Sequence, residues 1–257
     1  MILPQRLLKV AGFIEKGAAV ADIGTDHGLL PVYLALHSLA RRIIASDVSA
    51  GSLSAAIRSA QLYGVCEQIS FVNAPGLTGL SKNDADTIII AGLGGETIMG
   101  ILDEAPRLNR HNIKYILQPQ SKINLLCNWL HDNGYVIHDA ALALDRGKYY
   151  CVLLVKWRKW RCAETAIDGN NETPVSEYAI GETTAGSVID GVACHNNREA
   201  ELYLLLIRKH DPLVSSFLDD LILKANRTLE SIGDSDNTGY IEMKNRVRIL
   251  TQLKEER

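Results

Sequence analysis

A loop that combines acidic residues with glycines carries the first chemical signal in this sequence. It reads Asp22-Ile23-Gly24-Thr25-Asp26-His27-Gly28 and follows a short apolar run that predicts a buried strand. Gly24 permits a tight turn, and Gly28 lets the next helix pack close to the sheet, which leaves backbone N–H groups free to hold an anion. Asp47, 19 residues after Gly28, ends the second predicted strand and can accept two hydrogen bonds from a ribose diol. We therefore expect a nucleoside-containing cofactor at the carboxyl ends of these strands.

The order of residues in this loop favours S-adenosylmethionine over a dinucleotide. A dinucleotide fingerprint reads Gly-x-Gly-x-x-Gly, whereas this loop reads Asp-x-Gly-x-Asp-x-Gly. The carboxylate of Asp26 repels a pyrophosphate but can face the amino group of a methionyl moiety. Two alternatives stay open: Asp22 and Asp26 only cap the turn, or the chain is an NAD-dependent oxidoreductase.

A second glycine-rich loop follows the fourth predicted strand and indicates an acceptor pocket. Three glycines in four residues, Gly92-Leu93-Gly94-Gly95, leave the backbone open to a flat ligand. Gln118 and Pro119 end the fifth predicted strand on the same side, and the amide can read the edge of a base. The predicted acceptor-base pocket is therefore Leu93, Gly94, Gly95, Gln118 and Pro119. The alternatives are a tight strand-to-helix turn and a capping glutamine.

Alternating strands and helices position both loops. Strands are predicted at 19–23, 42–46, 69–72, 87–90 and 115–117, with helices at 29–39, 49–63, 96–104 and 123–132. This alternation implies a parallel, doubly wound sheet, and 136–142 with 149–155 predicts a closing antiparallel hairpin. The predicted fold class is α/β, a Rossmann-like sheet with helices on both faces.

The C-terminal part of the sequence predicts a helical hairpin. Residues 161–195 show no periodicity, whereas apolar residues recur every three or four positions after Asp211-Pro212 and again after Gly233. We predict an S-adenosylmethionine-dependent domain at 1–160, an irregular linker or insertion at 161–195 and a helical, coiled-coil-like hairpin domain at 196–257. A helical cap packed on the sheet is the alternative to a protruding coil.

Composition restricts the class of protein. Of 257 residues, 47% are hydrophobic and 22% are charged, as in globular proteins. The five cysteines are odd in number and form no Cys-x-x-Cys pair, so neither a disulfide framework nor a metal site is expected. The apolar runs are shorter than the roughly 20 residues of a membrane helix. We expect a cytoplasmic protein with no membrane partner, and the oligomeric state is left open.

The distribution of charge indicates a nucleic-acid partner in spite of a net charge of −3. Residues 1–161 hold 17 Lys and Arg against 13 Asp and Glu, whereas residues 162–257 hold 10 against 17. Cations alternate with indoles after the last predicted strand, which is typical of phosphate binding and base stacking. The predicted RNA-binding residues are Lys156, Trp157, Arg158, Lys159 and Arg161. The alternative is that the indoles pack against the C-terminal helices.

These motifs together resemble a known family. The combination of DIGTDHG, IIAGLGGETI and LQPQ with a helical C-terminal tail is similar to the TrmK family of bacterial tRNA (adenine-22-N1)-methyltransferases. The resemblance implies a class I methyltransferase domain that transfers a methyl group from S-adenosylmethionine to N1 of an adenine in tRNA. The cofactor-binding residues expected from the loops and the resemblance together are Asp22, Gly24, Thr25, Asp26, Gly28, Asp47, Val48, Pro75, Gly76, Leu77, Ala91 and Gly92.

One segment departs from this family. The third strand should end in a Gly-Asp-Gly-Leu-like sequence whose Asp binds the adenine amino group, but this chain has Ala74-Pro75-Gly76-Leu77. Loss of one charged hydrogen bond predicts cofactor binding weaker by about 10- to 150-fold.

The expected chemistry needs few catalytic groups. Because N1 of adenine is neutral and carries a lone pair, no strong base is required, and a carboxylate can stabilise the cationic product. The candidate catalytic residues are Asp26 and His27. A methyltransferase for another RNA or a small molecule, and a non-catalytic RNA-binding protein, are the alternative functions.

Overall fold

The computed structural model describes residues 1–104, 108, 112–157, 198–232 and 238–255. In chain order the elements are α1 (Gln5–Ala11), β1 (Ala18–Ile23), α2 (Leu29–Leu36), β2 (Ala40–Asp47), α3 (Ala50–Leu62), β3 (Ile69–Asn73), β4 (Thr87–Leu93), α4 (Gly95–Asp103), β5 (Lys114–Pro119), α5 (Ile123–Asp132), β6 (Tyr135–Asp145), β7 (Lys148–Trp157), α6 (Arg198–Arg208), α7 (Val214–Ile232) and α8 (Thr238–Glu255). The predicted linker at 161–195 lies outside the described residues.

The seven strands form one sheet in the order β3-β2-β1-β4-β5-β7-β6. The pairs among β1 to β5 are parallel, whereas β7 pairs antiparallel with both β5 and β6. The strand order reverses between β1 and β4, and ligands of open α/β sheets bind at such a switch point. The predicted Rossmann-like sheet and its closing hairpin are confirmed.

Both faces of the sheet are buried, as continuous apolar strands require. Residues of β4 alternate between two cores: Ile89 packs with α1 and α2, whereas Ile88 and Ile90 pack with α4 and α5. Ser49 caps α3, since its side chain accepts a hydrogen bond from the Ser52 N–H at 3.2 Å. The loops at the carboxyl ends of the strands therefore extend from a sheet that is packed on both faces.

The C-terminal helices join the core of the sheet. Helix α6 packs on α5 and β6, and α7 packs along α8. Leu250 and Leu253 of α8 are buried in the same apolar cluster as Leu153 of β7. A buried carboxylate also fastens α8, because Glu199 of α6 accepts hydrogen bonds from the Arg246 guanidinium at 2.7 Å and from the Tyr203 hydroxyl.

Among the described residues, no helix has both the length and the apolar character needed to cross a bilayer. In the same ranges, no three His, Cys, Asp or Glu side chains come together in a group able to hold a metal ion.

Candidate functional site

The loop after β1 is a tight turn built on two glycines with positive φ. Gly24 has φ +75° and Gly28 has φ +66°. A Cβ on Gly28 would lie 2.8 Å from the Cβ of Ala56, so only glycine lets α2 approach α3 this closely. The N–H groups of Gly24 and Thr25 donate to the carbonyl of Ser46 at 2.8 and 3.0 Å. These bonds tie the loop to the end of β2.

Asp47 joins the same two strand ends through its carboxylate. One oxygen accepts a hydrogen bond from the N–H of Ser49 at 2.8 Å, and the other accepts one from the N–H of Asp26 at 3.1 Å. The side chain is almost fully buried. Its orientation is therefore set before any ligand binds, as a ribose-binding carboxylate requires.

Asp22 is the second buried carboxylate at this edge, with 5% of its surface exposed. It accepts a hydrogen bond from the Thr25 hydroxyl at 2.8 Å. Burial raises the pKa of Asp22 from 3.8 to about 6; the bond from Thr25 opposes this change and the charge of Asp47 adds to it. A cation in the neighbouring space would favour the ionised carboxylate.

A cavity of about 510 Å³ opens at the carboxyl ends of the parallel strands. This volume is within the range of small-molecule sites. The predicted cofactor residues that line it are Asp22, Gly24, Thr25, Asp26, Asp47, Val48, Pro75, Gly76, Ala91 and Gly92. The other two, Gly28 and Leu77, do not line it: Gly28 packs on α3, and Leu77 is buried in the core.

The loop after β3 places no carboxylate in the cavity, but one lies close behind its wall. Gly76 has φ +51°, and a Cβ there would lie 2.9 Å from Oε2 of Glu104. This oxygen is buried and has no hydrogen-bond partner among the described residues. Glu104 follows the last turn of α4, where a negative charge opposes the helix dipole. No sequence signal pointed to this residue.

Most residues predicted for the acceptor-base pocket lie outside the cavity. Of the predicted acceptor residues only Leu93 lines the cavity, since Gly94 caps α4 and Gly95 packs against the backbone of Lys122. Gln118 is fully buried. Its amide donates to the carbonyl of Pro119 at 3.1 Å, and this side chain does not line the cavity. Pro119 does not line the cavity either.

Several residues that the prediction did not assign to this pocket also line the cavity. Among them are the polar residues Arg6, Thr97 and Gln120. A Cβ on Gly92 would lie 3.5 Å from Nε2 of Gln120 and 3.6 Å from Nη1 of Arg6, so both side chains border the second glycine loop. Gln120 belongs to the LQPQ motif. Arg6 lies on α1, and no motif around it indicated that its side chain lines the cavity.

The two candidate catalytic residues lie together on the cavity wall. Oδ2 of Asp26 is 3.8 Å from Nε2 of His27, and both side chains are mostly exposed. Asp26 has φ +51°, which turns its N–H towards Asp47. The pair is therefore accessible to a large substrate.

The predicted RNA-binding segment is only partly described. Lys156 and Trp157 end β7, where the Trp157 indole donates to the carbonyl of Asn133 at 3.1 Å. Trp157 also packs against the apolar core. Arg158, Lys159 and Arg161 lie outside the described residues.

Comparison with known proteins assigns this architecture to a class. A family model described as a methyltransferase domain matches residues 3–153, so the chain belongs to the methyltransferase domain family. The Bacillus subtilis tRNA (adenine(22)-N(1))-methyltransferase is 35% identical over 154 residues, which are 60% of this chain and 65% of that protein. The aligned part thus spans slightly less than two thirds of this curated relative.

Solved structures extend the similarity to nearly the whole chain. The B. subtilis m1A22 tRNA methyltransferase TrmK gives a TM-score of 0.73 at 25% identity, and the alignment covers 98% of this chain and 99% of that one. A putative tRNA (m1A22) methyltransferase of Streptococcus pneumoniae gives 0.76 at 23% identity over 98% and 100% of the chains. The same S. pneumoniae protein in complex with S-adenosyl-L-methionine gives 0.73 at 22% identity over 98% and 100%. These relatives confirm the predicted resemblance to the TrmK family.

Proposed function

We propose that this protein transfers a methyl group from S-adenosylmethionine to N1 of adenine 22 in tRNA. The observation that supports the proposal most directly is the cavity at the switch point, where Asp22 and Asp47 end adjacent strands. The B. subtilis relative, a tRNA (adenine(22)-N(1))-methyltransferase, indicates the substrate. All residues that line the cavity lie between Arg6 and Gln120, so we assign the transfer to residues 1–160 and leave the hairpin domain at 196–257 a structural role.

The residues of the cavity fit the proposed cofactor. Asp47 presents a fixed carboxylate to the ribose hydroxyls, and Val48 with Pro75 and Gly76 forms the wall for the adenine ring. Asp22 is a buried carboxylate that lacks a cationic partner among the described residues, which suits a ligand with a positive charge. The N–H groups of the first loop are already used by Ser46 and Asp47, so we expect side chains to contribute more than the loop backbone.

When bound, S-adenosylmethionine supplies an electrophilic methyl group on a sulfonium sulfur. The protein has to hold the acceptor nitrogen in line with that group, and this positioning can supply most of the rate enhancement. Gly92 and Leu93 border the acceptor end, where the absence of side chains on Gly92 lets a flat base approach the backbone. Asp26 then stabilises the positive charge that develops on the base, and His27 orients the Asp26 carboxylate.

The adenine must leave its stack to reach this cavity, at a cost of a few kcal/mol. The exposed positions of Asp26 and His27 at the rim fit an acceptor that enters from bulk solvent as part of a large RNA. A small metabolite would instead favour a closed site that buries most of the ligand. The rim therefore supports the RNA substrate over the small-molecule alternative.

A methylation assay tests the proposal. The protein is incubated with methyl-labelled S-adenosylmethionine and an unmodified tRNA transcript, and the nucleosides are analysed for 1-methyladenosine. We expect label in wild-type tRNA and none in a transcript with guanine at position 22. Label that persists in the altered transcript would indicate another RNA position, and calorimetry that detects no cofactor binding would indicate a non-catalytic RNA-binding protein.

Two variants separate chemistry from folding in the same assay. Asp26→Asn keeps the size of the side chain but removes the negative charge, so we expect kcat at saturating cofactor to fall by about 10- to 100-fold. The affinity for S-adenosylmethionine should fall as well, because the same carboxylate can face its amino group. Glu67→Gln removes an exposed carboxylate next to β3, far from the first loop in sequence, and serves as the matched control. Equal kcat values for both variants would rule out Asp26 as the stabilising group.

A further inference from the structure

The two ends of strand β7 lie on opposite sides of the sheet, one where the parallel strands begin and the other where they end. Lys156, near the end of β7, pairs with Lys114, the first residue of β5. The cavity lies at the carboxyl ends of the parallel strands, and the ten residues of β7 span about 30 Å. The predicted RNA-binding segment, which begins at Lys156, therefore starts at the edge away from the cavity. The turn from Asp145 to Lys148 lies at the edge where the cavity opens.

The hairpin formed by β6 and β7 extends past its neighbour β5 on the cavity side. The last ladder pair of β5 with β7 joins Leu117 to Leu153, and β7 starts five residues earlier, at Lys148. The ring of Tyr150 in this extension lies 5.9 Å from the guanidinium carbon of Arg6. Since Arg6 also lines the cavity, the tip of the hairpin borders the acceptor end.

Positively charged side chains cluster at the tip of this hairpin. Nζ of Lys148 lies 5.2 Å from the centre of the Tyr150 ring, so two cations approach one aromatic ring. Arg146 is exposed in the turn and has φ +50°. Among the described residues, neither Arg146 nor Lys148 forms an ion pair. We call Arg6, Arg146, Lys148 and Tyr150 the hairpin-tip surface.

Arg6 is held only loosely within this surface. Its Nε is 3.9 Å from Oδ2 of Asp145, and its Nη1 is 3.4 Å from Oε1 of Gln118. Both distances are at the long end for such contacts. A guanidinium with long contacts to its neighbours retains donors for an anionic ligand, and three cations face one carboxylate here.

We propose that the hairpin-tip surface binds the phosphodiester backbone of the RNA strand that carries the target adenine. This inference rests on the proposed function. Guanidinium and ammonium groups bind phosphate through charge-assisted hydrogen bonds, and the Tyr150 ring can stack on an unpaired base. Because Arg6 belongs to this surface and also borders Gly92, a phosphate bound here lies beside the nucleotide whose base enters the cavity.

The position of the surface explains why a cluster of cations is useful there. A flipped adenine must be held by its own backbone while N1 is aligned, so contacts to the adjacent phosphates fix its register. A basic segment that starts at the opposite sheet edge can attract RNA but cannot fix that register from its first residues. Lys156 belongs to that segment and is the matched comparison for Lys148, since the two lysines lie near opposite ends of one strand.

Binding of a fluorescent tRNA transcript tests this inference. Anisotropy is measured for the wild type, Arg146→Ala/Lys148→Ala and Lys156→Ala, with S-adenosylhomocysteine present and at several salt concentrations. We expect the double variant to raise the Kd for tRNA by about 10- to 30-fold and to reduce the slope of log Kd against log salt by about 1.5, because two phosphate contacts are lost. The affinity for S-adenosylhomocysteine should be unchanged, and Lys156→Ala should raise the Kd for tRNA by less than the double variant does.

The outcomes separate this inference from the proposed function. Wild-type protein that methylates tRNA, together with a double variant that binds tRNA as tightly as the wild type, overturns the surface alone. A loss with Lys156→Ala equal to that of the double variant also overturns it, because general attraction then explains the binding. Wild-type protein that binds the cofactor but no RNA overturns both.

Discussion

Replacing Asp22 by asparagine should make the protein more stable and a poorer binder of its cofactor. The carboxyl group is buried, and its pKa is raised from 3.8 to about 6 mainly by that burial. The folded protein therefore holds a proton on Asp22 more tightly than the unfolded chain does. Stability falls as the pH rises from about 4 to about 6, and above that range the full cost is present. A difference of this size between the folded and unfolded pKa values corresponds to about 3 kcal/mol.

Asparagine has the same shape and carries no charge, so the variant should escape this cost. We expect Asp22→Asn to match the wild type near pH 4 and to exceed its free energy of unfolding by up to about 3 kcal/mol at pH 7.5. Urea unfolding from pH 4 to pH 8 measures the difference, with Glu67→Gln as an exposed control. Parallel curves for the wild type and Asp22→Asn would refute the reasoning, because burial of the ionised group would then carry no cost.

The same carboxylate should couple cofactor binding to pH. A cationic ligand near Asp22 favours the ionised form, so the Kd for S-adenosylmethionine should fall by about tenfold between pH 5 and pH 7 in the wild type. In Asp22→Asn this dependence should disappear and the affinity should be lower at pH 7. Calorimetry at both pH values checks this, and an unchanged dependence in the variant would assign the coupling to another group.

Three further predictions concern the loops and the C-terminal helices. In Gly28→Ala, the backbone at position 28 has φ +66° and the new Cβ would lie 2.8 Å from the Cβ of Ala56. This substitution should lower the free energy of unfolding by about 2–4 kcal/mol. In urea unfolding, Ala56→Gly should restore part of that loss, and no restoration would exclude the contact as a cause. Pro75→Asp returns a carboxylate to the cavity wall and should lower the Kd for S-adenosylmethionine in calorimetry by at least about tenfold; an unchanged Kd would mean that the adenine lies elsewhere. Arg246→Met leaves Glu199 buried without its cation and should cost about 3 kcal/mol in urea unfolding, whereas the double variant with Glu199→Gln should recover much of it.

Much of the fold and the cofactor end of the site could be predicted from local sequence. The loop from Asp22 to Gly28 lies between a strand and a helix, so its glycines reveal the turn and its acids lie where the strand ends. Asp47 could be placed because parallel strands bring their carboxyl ends to one edge. In both cases the functional side chain is close in sequence to the element that positions it.

The acceptor end could not be predicted in the same way. Gln118 and Gln120 are both near the end of β5, and which of them faces the cavity depends on where the strand ends and on the register shift between Ala91 and Leu93. Residues two apart in a regular strand point to the same face, so alternation alone cannot distinguish the two amides. They differ because β5 ends at Pro119, which leaves Gln118 inside the strand and Gln120 beyond it. Arg6 and Glu104 come from helices whose own sequence patterns show only which face is apolar.

The sequence by itself determined the order of strands and helices, the two glycine loops and the acids at the strand ends, because each depends on residues that are neighbours in the chain. Only the tertiary structure decided which side chains meet across the cavity. It brought Arg6 beside Gly92, set Glu104 behind Gly76 and carried the tip of the β6–β7 hairpin to the cavity edge. These contacts join segments tens of residues apart, and packing and strand register, which no local pattern encodes, determine them.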